Sequence, residues 1–363
     1  MPGLALVTAL ALAAGGATWK LPGAPRELYR IRWQKPLVAP VLGEWRPGEP
    51  GGAVFDPVAR VVVVGTRDGV LHALRADGST LWAFQAGGPF AAEPAVDGDT
   101  VYAACGDGRI YALAIGSGQE RWRYDAREAL VTRPMVAGGV VLVASQQDTV
   151  FAVDARTGAW KWHRRKEPRE GFTIRGVASV VAGDGLAFAG TSDGAVAALE
   201  VATGIVRWER QAAPAGSYPD VDSLALSGGT LYAAAYSGAV VALEAATGKP
   251  LWQVLTPDAA RVAVAPGAVI AVTGSSVLAL SPTDGKVLWT VPLSGTPSGA
   301  PRVHGRWLLV PAAEGGLRFL ELAAGRTVRV LDPGSGVSAT PGLAPGEVYV
   351  LSNAGRLLAL DLR

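Results

Sequence analysis

The chain has 363 residues and a single cysteine, Cys105. No internal disulfide can form, and no CxxC redox or metal motif exists. A lone thiol at the end of Val101–Cys105 reads as a small buried strand residue. The three histidines, His72, His163 and His304, stand far apart without metal-ligand spacing. GxSxG, HExxH, P-loop and dinucleotide fingerprints are missing, as is a DxDxDG calcium loop. No catalytic, cofactor-binding or metal-binding residue is therefore assigned, and no cofactor is expected. Charge is scarce and balanced: 33 basic against 31 acidic residues leave +2. That gives no electrostatic case for nucleic acid.

The N-terminal stretch Leu4–Ala17 is apolar but too short for a comfortable membrane span. It ends in small residues, like the core of an export signal, although Met1–Gly3 lacks the basic start of one. An irregular apolar strand is the other reading. No cysteine follows it, so no lipid anchor is legible. The expected organisation is an apolar N-terminal segment over residues 1–20, of signal-peptide type, and one repeat domain over 21–363.

Glycine, proline and tryptophan are abundant, and all recur at intervals. The stretch Ser237–Trp252 shows the repeated unit. Val240, Ala242 and Glu244 alternate with Val241, Leu243 and Ala245, the period-two pattern of a strand. Thr247–Gly248 makes a turn, and Leu251–Trp252 opens a return strand. Trp33, Trp82, Trp122, Trp162, Trp208, Trp252 and Trp289 hold the same place in successive units, 37 to 49 residues apart. Four short strands at this period predict a propeller blade. The seventh unit is degenerate, with Val330 near the tryptophan position. The eighth, Gly355–Arg363, stops before its turn, and its missing half stands at Leu28–Trp33. The expectation is an all-β, eight-bladed propeller of four-stranded antiparallel blades, the last closed by the N-terminal strand beside Arg356–Leu360. One tryptophan per blade reads as a wedge between neighbouring sheets.

Two connections are longer than a blade requires. Trp162–Gly176 begins with the basic run Arg164, Arg165, Lys166, which reads as a solvated loop partly neutralised by Glu167 and Glu170, and ends with Phe172, Ile174 and Arg175. Gln211–Asp222 carries Asp220 and Asp222. Both precede an inner strand, so they fall on one face of adjacent blades, where binding loops gather. Apolar anchors, an arginine and two acids form a candidate partner-binding site.

The repeat Ala-Leu-(Glu/Asp)-x-x-Thr-Gly-x-x-x-Trp resembles the tryptophan-docking repeat of the PQQ-type propellers. Thr173–Ser179, Asp220–Asp222 and Leu231–Gly248 are similar to the BamB family of outer-membrane assembly factors. That resemblance implies a non-enzymatic scaffold of the β-barrel assembly (BAM) complex. It implies contact of Phe172, Ile174, Arg175, Asp220 and Asp222 with a POTRA domain of a BamA-like partner. Unfolded outer-membrane β-barrel proteins are implied clients. The implied location is the periplasm, held at the outer membrane through the partner or an anchor not visible in this sequence. The alternative is a PQQ-dependent dehydrogenase or a ligand-sensing periplasmic propeller using the central channel.

Overall fold

In the computed structural model, residues 28–39, 48–167, 177–212, 220–236, 238–256 and 258–363 are described. They form eight four-stranded antiparallel sheets arranged as an eight-bladed propeller. Blade 2 shows the pattern: inner strand Ala95–Asp97, then Thr100–Ala104, Arg109–Ala114 and the outer strand Glu120–Asp125. The second strand of each blade is almost continuously apolar, as in Val61–Gly65 and Val140–Ala144, because both of its faces are covered. Eight buried clusters occupy the spaces between neighbouring sheets, one per junction. Between blades 4 and 5, for example, Phe188 and Trp208 pack with Val221 and Leu231.

The ring closes as the sequence predicts. Tyr29–Pro36 is the outer strand of blade 8 and pairs antiparallel with Arg356–Leu362, Trp33 opposite Ala359. Arg32 reinforces the seam with an ion pair to Glu347 at 2.5 Å.

Each tryptophan sits beside a register shift in its outer strand, opposite a small residue such as Ala152 for Trp162 or Ala198 for Trp208. The shift re-aims the indole toward the next blade. There its N–H donates to a carbonyl just past that blade's third strand: Trp162 to Val201 at 3.0 Å, Trp208 to Ala245 at 2.9 Å, Trp33 to Ala76 at 2.8 Å. Trp82, Trp122, Trp252 and Trp289 make the same bond to Ile115, Ala155, Pro282 and Leu322. The ring lies on the Thr-Gly turn. At Gly204 the backbone has φ of 73°, and a Cβ there would stand 2.6 Å from Trp162. Glycine thus serves conformation and space together.

Blade 7 corrects one expectation. The residue in the tryptophan position is Arg329, not Val330, and it faces Phe319 where the other blades have alanine. Bulk has moved from the outer strand to the third strand. Phe319, fully buried, stacks on Tyr29 of the N-terminal strand at 5.3 Å.

Candidate partner-docking site

The connections between blades and the turns between second and third strands share one face. Asp220 and Asp222 lie on it, at the head of the blade 5 inner strand Val221–Ser227. Asp220 is fully buried, and its carbonyl accepts the Tyr236 N–H at 2.9 Å. Asp222 is the extra residue of a register shift between Val221 and Ser223. Such a bulge turns one side chain out of the ladder. Among the described residues the cation that acts on it is Arg261 of blade 6, itself held by the carbonyls of Ser298 at 2.9 Å and Ala260 at 2.8 Å. Burial pushes the Asp222 carboxyl up to about 6; Arg261 pulls it down and Asp220 raises it further. Burial also lowers Arg261, against the pull of Asp222. This acid and guanidinium are both half-buried, so each is partly stripped of water.

Phe172, Ile174 and Arg175 lie outside the described residues. The basic run before them is placed differently from the expectation. Arg164 and Arg165 belong to the outer strand Trp160–Arg165. Arg165 pairs with Glu128 at 3.4 Å, and Lys166 pairs with Asp193 at 3.1 Å and with Glu209. The neutralising acids come from blades 3 and 4 and their connections, not only from the run itself.

A second group on this face escaped the sequence reading. Glu93, buried just before the inner strand of blade 2, accepts from Arg302 of blade 7 through both carboxylate oxygens. Arg133 of blade 3 adds its Nε at 2.8 Å. Blades 2, 3 and 7 are thus joined by an ion-paired bridge at the heads of their inner strands. A usable signal was present: in a chain poor in charge, Glu93 and Arg133 each precede a proline and Arg302 follows one, all at the head of an inner strand.

The turn aspartates have local duties. Asp107 accepts the Arg109 N–H at 3.0 Å and the Tyr111 hydroxyl at 2.6 Å, and Asp193 accepts the Ala195 N–H at 3.1 Å. Among the described residues no three His, Cys, Asp or Glu converge as a metal site. Burial pushes the Cys105 thiol up to about 12, which leaves it an inert core residue.

Fold and repeat define the class: an eight-bladed propeller with PQQ-type tryptophan docking. Within that class the chain belongs to the family described as outer membrane protein assembly factor BamB, which matches residues 5–120, 67–255 and 237–363. The crystal structure of BamB from Moraxella catarrhalis is similar at a TM-score of 0.80 and 20% identity, covering 92% of this chain and 100% of that one. The computationally designed Ika8 protein gives 0.73 at 17% identity, covering 89% and 98%. Quinohemoprotein alcohol dehydrogenase ADHIIG from Pseudomonas putida HK5 gives 0.73 at 16% identity, covering 92% and 76%. At these identities the likeness is one of fold. No curated protein matches in sequence.

The dehydrogenase likeness raises the question of a quinone with a bound cation on the axis. Among the described residues, the acids on this face do not fit that group. Glu93, the buried acid of the cross-axis cluster, is engaged by two arginines from blades 3 and 7, and Asp222 faces Arg261.

Proposed function

We propose that this chain is a non-catalytic scaffold of the outer-membrane β-barrel assembly machinery, working in the periplasm at the outer membrane. It docks a POTRA domain of a BamA-like partner on the face that carries Asp220 and Asp222, with Phe172, Ile174 and Arg175 from the preceding blade completing the contact. The observation that carries this reading is Asp222. An acid turned out of a strand by a bulge and half-buried beside Arg261 has no role in blade closure. A preset carboxylate on the loop face suits recognition of a basic or amide-rich partner surface.

Assistance to barrel proteins draws support from the outer strands of blades 5 and 6. Pro250–Leu255 and Val287–Pro292 carry no charge, and Leu251, Leu255, Val287 and Leu288 are exposed. An uncharged free edge accepts an added strand more readily than a charged one.

The test is co-purification of Asp222→Ala and Arg175→Ala with the POTRA region. Each is expected to lose most of the retained partner, and unchanged retention of both would sink the assignment. The dehydrogenase alternative predicts a clear rise in melting temperature with pyrroloquinoline quinone and calcium; the scaffold reading predicts none.

A further inference from the structure

We propose that the junction between blades 7 and 8 is a second binding site, for an acidic peptide segment carrying one bulky apolar side chain. It lies on the opposite face from Asp222, among the turns joining first to second and third to fourth strands. At seven junctions an indole and a glycine turn fill this region. At the eighth both are missing: Arg329 stands for the tryptophan, and the turn is replaced by Arg363 and Leu28, joined by the Arg363 N–H to the Leu28 carbonyl at 3.0 Å. A groove of about 610 Å³ results.

Leu28, Trp307 and Val328 give the groove an apolar floor. Its rim is basic. Arg306 lies flat over the Trp307 ring, its Cζ 4.4 Å from the centroid, which fixes the guanidinium in place. Arg363 stands across from it, and among the described residues neither has a carboxylate partner. The only acid in the lining, Glu321, is taken by Arg326 at 3.0 Å. Three arginines against one acid leave the lining positive. Charge complementarity therefore selects an acidic occupant, and the floor selects one apolar side chain as its anchor. A peptide of residues 18–27 has the wrong sign for this groove, with Lys20 and Arg26 against Glu27.

The test uses fluorescence anisotropy on the full chain, with a fluorescein-labelled peptide holding one Phe between two Glu-Asp-Glu runs. Saturable binding is expected, about tenfold weaker for Arg306→Ala and for Val328→Glu. Both substitutions are at exposed positions, and unchanged melting temperatures confirm folding. A peptide with Lys in place of the acids should not bind, and Asp222→Ala should bind normally, separating this site from the docking face. The proposal is overturned by an absence of saturable binding, by binding indifferent to both substitutions, or by tighter binding of a peptide of residues 18–27.

Discussion

Arg302 and Glu93 stand 209 residues apart in sequence and on blades 7 and 2, yet the guanidinium holds both oxygens of the carboxylate across the axis. With Arg133 joined to the same acid, one side chain links three blades. A propeller sheet otherwise touches only its neighbours. The bridge adds a contact that skips around the ring.

Glu93→Gln should therefore cost more than a surface ion pair. Two arginines would lose their only shared acid in a largely dry site. Because both guanidinium groups keep some contact with water, the loss should be about 2–3 kcal/mol, below the full penalty for a wholly buried charge. Urea denaturation measures it. A midpoint equal to that of the unsubstituted protein would mean that water replaces the bridge at no cost.

The docking glycines differ from other left-handed glycines in a way that can be measured. Gly204 and Gly229 have φ of 73° and 74°. A Cβ at Gly229 meets nothing within 4 Å, whereas one at Gly204 overlaps Trp162. Gly229→Ala should cost about 1 kcal/mol, the strain of the conformation alone. Gly204→Ala should cost about 3 kcal/mol, because the indole must also leave its place. The near-ultraviolet circular dichroism of the tryptophans should change only for Gly204→Ala.

The repeat was legible because each blade restates the same local chemistry. Strand alternation, the Thr-Gly turn and the tryptophan are all set within one short stretch such as Ser237–Trp252, and the closing strand Arg356–Leu362 covers the predicted Arg356–Leu360. The split blade was legible too, since the two half-units complement each other. Arg329 could have been found by spacing: Gly204 precedes Trp208 by four residues, as Gly248 precedes Trp252, and Gly325 precedes Arg329 by the same step. The identity of the residue misled, because bulk had moved to Phe319. The pairing of Glu93 with Arg302 had no local signature. Ring closure brings them together, and only their charges beside prolines marked them.

Asp222 gives a pH dependence of definite sign. Its carboxyl is raised from 3.8 to about 6, mainly by burial. Between those values the folded protein holds the proton more tightly than the unfolded chain. Stability from this group is thus greatest at low pH and is lost as pH rises through about 6. The full span corresponds to up to about 3 kcal/mol. Asp222→Asn removes the titration but leaves Arg261 without its acid, an offset that does not vary with pH. The stability of the parent protein relative to Asp222→Asn should therefore fall as pH rises from 4 to 7. A constant difference across that range would show that the carboxyl titrates normally.

The seam between blades 7 and 8 depends on Phe319 as the other junctions depend on tryptophan. Phe319 is fully buried, and its stacking on Tyr29 ties blade 7 to the N-terminal strand. Phe319→Ala should cost about 3–5 kcal/mol, from lost burial and the cavity left behind. The damage should be local first, so amide exchange should quicken at Ile31–Gln34 before it does in blades 2 to 5. Restoring the repeat in the double variant Phe319→Ala, Arg329→Trp should recover nothing. An indole there would find no glycine to lie on, because Arg363 and Leu28 stand where the other blades have that turn. Recovery of most of the lost stability would show that tryptophan docking needs only the neighbouring sheet, and that the glycine turn is dispensable.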